Sequence, residues 1–374
     1  MASAAFRCHV QIALFIIIAI NLIFANGSND GSQHILQPQE ASPEIITGQY
    51  DPARISIHNT TGHVSWEWTK VDFVNQDIPK KLNQCLQNGG SVTDVKWANH
   101  GRSVVAVFAY AVVVINHCPD EPSKNKAITF GMCLDQFGLR GTHGIEPLPD
   151  GKLAIATTSY EATGNIKIVN TSLGFLQELD GIPAVHSLVW DQVTESLWAI
   201  GNDLPPQGKC PSTALLNRYE YRDGSFSRKP SQVEPLSPPK QLNEEWDDSW
   251  WDGGHDITPV PGQRHLLIST DLDLHLFNLT SASFLHGEGV LKQPFMHGFK
   301  PVYSHEKNLP RADVKSLSLH KSSGTLYVQA DWKGYFSTHV NHLTVRAKAP
   351  RNISFSQSVY RSRWFSPVAG WSVE

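Results

Sequence analysis

One strand–turn–strand pattern recurs along this chain, and the recurrence limits what it can fold into more than any other feature. One copy is "THGIEPLPDGKLAIATTSYEATGNIKIVN", from Thr142. Another is "VHSLVWDQVTESLWAIGNDLPPQG", from Val185, and a third is "GHDITPVPGQRHLLISTDLDLHLFNLT", from Gly254. Weaker copies begin at Ser91 and Ala312, and "EIITGQYDPARISIHNTTGHVSWEW", from Glu44, fits a first copy. Each contains short β-branched and aromatic runs bounded by Gly, Pro, Asp and Asn, which is how strands and turns alternate in sequence. The second strands begin near Val104, Leu153, Leu197, Leu266 and Leu326. The interval approaches the roughly 40–50 residues of a propeller blade, stretched where loops are inserted.

A unit of this kind cannot bury both of its faces alone, so the copies must pack on one another and close. Tracts such as "SVVAVFAYAVVVIN" are apolar throughout, as a strand covered on both faces would be. No long stretch carries a helical apolar period. The expectation is an all-β, six-bladed β-propeller with first strands near 45–48, 92–97, 143–148, 186–190, 255–260 and 314–319. A seventh blade would require "SFSQSVYRSRWFSPVAGW" to supply more than an outer strand. That stretch could close the ring by pairing with the N-terminal copy.

The chain has 40 % hydrophobic and 18 % charged residues, a folded rather than a disordered balance. Its net charge of −4 leaves no basic footprint for nucleic acid. Arg7, the apolar run Val10 to Phe24 and the small residues of Ala25-Asn26-Gly27 read as a secretory signal peptide over 1–27. A flexible leader (28–43) and a single propeller domain (44–374) follow. No later segment is expected to cross a membrane, and a secreted monomer is expected. In an oxidising compartment Cys85, Cys118, Cys133 and Cys210 would form two disulfides, with three connectivities open. Sequons at Asn59, Asn170, Asn278 and Asn352 would be glycosylated surface positions.

Several stretches resemble a family of secreted or periplasmic β-propeller proteins, a domain of unknown function. They are "VSWEW" (64–68), the DVK at 94–96, "THGIEPLPDGKLAIAT" (142–157), "VHSLVWDQVTESLWAIG" (185–201), "GHDITPVPG" (254–262), the DVK at 313–315 and "VYRSRWFS" (359–366). The resemblance implies the fold and says little of chemistry. Histidines at the inner ends of blades are also distantly similar to the active sites of propeller-fold polysaccharide lyases.

His143, His186 and His255 each precede a second strand by 10 or 11 residues, which would bring three imidazoles to one end of a central channel. Imidazole changes charge near neutral pH and can act as acid or base. Three neutral rings can also hold a divalent metal. In the two remaining clear copies Asp94 and Lys96, and Asp313 and Lys315, take the corresponding region. Lys96 or Lys315 could neutralise a ligand carboxylate. Trp246, Trp250 and Trp251, in the loop before His255, offer flat faces to sugar rings. The expected function is carbohydrate-directed, with a polysaccharide or glycan as partner. In catalytic form it would be a lyase on uronate-containing polysaccharide using His143, His186 and His255. The alternative is a non-catalytic binding or scaffolding propeller with structural histidines.

Overall fold

The computed structural model describes residues 43–371 apart from 136–138, 140, 160–163, 243–249, 304–309, 332–333, 346 and 369. The expected signal peptide, nearly all of the leader and Trp246 lie outside these residues. Residues from Ser42 onward form one compact unit. It is all-β and its sheets are antiparallel. The longest helix among the described residues, Lys80–Gln87, has eight residues.

Four sheets follow in chain order as meanders, opening with the strands Val92–Ala98, Thr142–Leu148, Ser187–Asp191 and Gly254–Pro259. The remaining main sheet has seven strands and joins the two ends of the chain. Its first three are Val314–His320, Gly324–Gln329 and Ser337–Leu343. The long strand Arg351–Trp364 follows, pairing through Ile353 and Ser354 with the Ser337–Leu343 strand. Its second half pairs from Ser358 to Trp364 with Ile45–Tyr50, beyond which lie Arg54–His58 and Val64–Trp68. The expectation that 45–48 opens a sheet is therefore corrected. The C-terminal strand stands inside it, because a strand already fixed at one edge can extend into a second pairing.

Alternation along the strands explains the apolar tracts, since successive side chains point to opposite faces. Val104, Ala106 and Phe108 pack with Ile55, Trp66 and Trp68 of the N-terminal strands. Val105 and Val107, between them, pack with Ile145, Leu153 and Ile155 of the next sheet. Similar clusters join the following sheets pairwise, as Ile166 and Ile168 meet Leu188 and Trp190, and Trp198 and Ile200 meet Ile268 and Phe277. Leu267 and Leu276 then meet Leu317 and Tyr327, and Ile45 and Trp364 meet Leu326 and Val328. The strands that open the sheets also touch in sequence. Val92–Ala98 lies on Thr142–Leu148, that strand on Ser187–Asp191, then Gly254–Pro259, Val314–His320 and Arg351–Trp364, and the last lies on Val92–Ala98.

One disulfide forms, Cys85–Cys133. It ties the Lys80–Gln87 helix to Ile128–Cys133, the outer strand of the sheet that opens with Val92–Ala98, where a Cβ on Gly131 would stand 2.3 Å from Leu82. The second expected disulfide is not made. Cys118 is buried, with its thiol directed to the Glu121 carbonyl of its own turn, whereas Cys210 is exposed on the loop after Ser196–Asn202. The four sequon asparagines are exposed or half-buried, none fully buried. No helix among the described residues is long and apolar enough to cross a membrane.

Candidate functional site

Each of these opening strands carries an irregularity near its start. Thr93, His143, His255 and Lys315 are left out of the pairing where the register shifts, and Tyr360 is left out in the same way on the C-terminal strand. His186 stands just before the paired Ser187, with its N–H on the same Ile200 carbonyl stretch that Ser187 faces. An unpaired residue of this kind is re-aimed relative to its strand. All six side chains line one cavity of about 380 Å³, together with Tyr50, Asp271 and Trp250. The volume falls within the range of small-molecule sites.

The three histidines are therefore together, His143 included. The shorter spacing of His143 reflects turn length. Five residues separate the paired Pro147 and Leu153, whereas six separate the equivalent Pro259 and Leu266. Ring centroids are 5.2 Å apart for His143 and His186, 5.0 Å for His186 and His255, and 5.7 Å for His143 and Tyr360.

Their tautomers follow from their partners. His143 Nδ1 lies 2.8 Å from the Gly141 carbonyl and His186 Nδ1 lies 3.0 Å from that of Ala184. A carbonyl only accepts, so Nδ1–H donates and Nε2 carries a lone pair. Neither Nε2 has a hydrogen-bond partner among the described residues. Burial pulls the His143 imidazole down to about 4, and burial together with the neighbouring rings holds His186 well below its usual range. Both rings are neutral at pH 7.

His255 differs. Its Nε2 is shared between Asp271, at 2.7 Å, and the Lys315 ammonium, at 2.8 Å, while its buried Nδ1 has no partner. Burial lowers its pKa against the opposing pull of Asp271. Lys315 is buried, yet Asp271 at 3.0 Å and Asp313 at 2.9 Å outweigh desolvation and raise its pKa. Behind Asp271 lies Asp252, whose carboxyl burial and the Asp271 charge push up to about 7. The arrangement does not suit a three-histidine metal site. Among the described residues the ligand atoms of three such groups come within 4.8 Å of one another only at Cys85, Cys133 and Asp135, and those two sulfurs are bonded to each other.

Lys96 is not part of this cavity. The two DVK triplets are offset by three residues, since Thr93, and not Lys96, shares the position of Lys315. Lys96 faces a different cavity, paired with Glu146 and donating to the Leu188 carbonyl at 2.7 Å. Trp250 lines the histidine cavity, but Trp251 is tied aside by its indole N–H to the Gly208 carbonyl. The Gly-Gly pair before His255 has a steric cause. A Cβ on Gly254 would stand 2.2 Å from Ile200 of the preceding sheet.

Beneath the histidines lies a layer of ions. Arg361 is fully buried and donates to the carbonyls of His186, at 3.0 Å, and His255, at 2.8 Å. Arg363 bridges Asp256, at 3.1 Å, and Asp94, at 3.2 Å. Asp94 also accepts from the Ile145 N–H and Asp256 from the Leu317 N–H, so each carboxylate links two sheets. Sequence reasoning missed Tyr360, Tyr50 and both arginines. For Tyr360 and the arginines the signal was "VYRSRW", whose role depends on where the C-terminal strand inserts.

No family model matches the chain, and no curated protein matches it. Similar solved structures include that of U3-55K, 10 % identical over 69 % of this chain, with TM-score 0.41. The match spans 62 % of the U3-55K chain, less than two thirds of its length. A nidogen/laminin complex is 8 % identical over 86 % of this chain and 98 % of that one, with TM-score 0.49. These comparisons assign no family.

Proposed function

We propose that the sheets are the six blades of a secreted β-propeller and that its histidine-lined end is a carbohydrate-binding pocket. The blade reading is supported by the cyclic order in which the opening strands touch and by the insertion of the C-terminal strand beside Ile45–Tyr50. The apolar leader, the disulfide and the accessible sequons support secretion.

One observation carries the binding reading. His143 and His186 are neutral, each is fixed by its Nδ1–H on a backbone carbonyl, and each leaves its Nε2 lone pair without a partner among the described residues. Sugar hydroxyls are the donors such lone pairs lack. The aromatic faces of Trp250, Phe336 and Tyr360 line the same cavity and suit the apolar faces of a sugar ring. The lysine balance favours a neutral sugar over a uronate, because Lys315 is already held between two carboxylates. A lyase would still have a base of the correct protonation state in either free imidazole.

Calorimetric titration with neutral and uronate oligosaccharides at pH 7 tests this. A neutral oligosaccharide is expected to bind, and His143→Ala or His186→Ala should weaken it about tenfold or more with little change in melting temperature. Loss of stability with no binding to any oligosaccharide would favour the scaffolding alternative. New absorbance from unsaturated products on uronate polymers would establish the lyase form.

A further inference from the structure

A second cavity, of about 510 Å³, is lined by Arg363 and by residues further along the same opening strands. Its lining includes the residue three places beyond the irregular position on each of those strands. They are Lys96, Glu146, Val189, Thr258, Ser318 and Arg363. Apolar surface from Trp97, Trp364, Trp371, Leu148 and Ile257 completes it.

The polar groups of this cavity are unevenly satisfied. On the opening strands the acceptors Glu146 and Ser318 are occupied. Glu146 takes the Trp190 N–H at 3.0 Å on one oxygen and Lys96 on the other, and Ser318 takes the Trp364 N–H at 3.0 Å. Donors are left over. Thr258 is only 3 % exposed, yet its hydroxyl makes no hydrogen bond among the described residues, and neither does the indole N–H of the half-buried Trp97. A ligand that supplies an acceptor would give both donors a partner. The charges are balanced at the same time. Lys96 is matched by Glu146, Arg363 by Asp94 and Asp256, and Lys152 by Asp150. An anion would therefore enter apolar surroundings without a counter-charge.

We infer that this cavity is a second binding site, for a small apolar molecule bearing a neutral carbonyl, which accepts from Thr258 and Trp97 while its body lies against the tryptophans. The inference does not depend on the histidine pocket binding sugar.

The test is tryptophan fluorescence titration of the full protein with four matched probes: 4-phenylbutan-2-one, 4-phenylbutan-2-ol, 3-phenylpropionate and butylbenzene. The ketone should bind saturably and about tenfold more tightly than butylbenzene or the carboxylate. Thr258→Val, which keeps the β-branched shape, should weaken the ketone several-fold and leave butylbenzene unchanged. Trp97→Phe repeats the test by removing the other donor, should the valine variant fail to fold. Equal affinity for all four probes, tightest binding of the carboxylate, or no saturable binding would overturn the proposal.

Discussion

At the scale of single residues, titration is set by what lies behind the pocket as much as by what lines it. Asp252 is 4 % exposed and stands behind Asp271. Burial and that second charge raise its carboxyl from 3.8 to about 7. The folded state therefore binds a proton more tightly than the unfolded chain. The stability this proton confers is complete below about pH 4 and is lost as pH rises through about 7. Asp252→Asn mimics the protonated form. It should stabilise the protein at pH 8 by ~2–4 kcal/mol, with the gain gone at pH 4. Thermal melts of both proteins across that range check it, and equal melting at every pH would show Asp252 ionised without penalty. His143, pulled down to about 4, works in the opposite sense, because its stability is lost as pH falls from the usual imidazole range toward 4. The three histidines, Lys315 and Trp250 of this pocket were legible in the sequence. The free Nε2 atoms were not, since they depend on carbonyls at Gly141 and Ala184 being turned toward the rings.

At the scale of elements, the irregular positions decide which side chains reach the pocket. Successive residues climb a strand by about 3.3 Å each, so an offset of three residues from the irregular position changes the depth by about 10 Å. That is why the two DVK triplets, identical in sequence, put Lys315 among the histidines and Lys96 in the other cavity. The disulfide belongs to this scale too. It closes a loop with a sequence separation of 48 between Cys85 and Cys133, and removing it by Cys85→Ser with Cys133→Ser should cost about 4 kcal/mol by loop-closure entropy. Denaturant midpoints of the two proteins measure that loss. Thiol titration of the denatured, unreduced protein expressed from Ser28 onward should find two reactive thiols, Cys118 and Cys210, whereas none would mean that these two pair after all.

At the scale of the molecule, the C-terminal strand connects everything described above. Arg351–Trp364 joins the last strands to the first, places Tyr360 among the histidines and supplies both arginines of the ion layer. Burial alone would raise the Asp256 carboxyl, but Arg363 and Arg361 hold it well below the usual carboxylate range. Arg363→Met would leave buried Asp94 without its counter-ion and Asp256 with Arg361 alone, and should cost ~3–5 kcal/mol. Adding Asp94→Asn and Asp256→Asn should recover part of that loss, which urea unfolding of the three proteins would measure. Deleting residues 351–374 should abolish cooperative unfolding, because the Ile45–Tyr50 edge and the ion layer are lost together. A truncated chain with a sharp melting transition would show that the sheets do not depend on this closure.

The sequence alone determined the strands, because each apolar or alternating run is a local pattern that needs a particular face covered. It determined the repeat and the grouping of His143, His186 and His255 for the same reason, since one position recurring on similar strands meets similar surroundings. What only the tertiary structure decided are relations between distant segments. These are the insertion of Arg351–Trp364 beside Ile45–Tyr50, the relative depth of Lys96 and Lys315, and the pairing of Cys85 with Cys133 alone. Each depends on inter-strand register or on the meeting of residues far apart in the chain. Neither is recorded in the local run of residue types, because a hydrogen-bonded ladder can form at more than one offset until packing selects one.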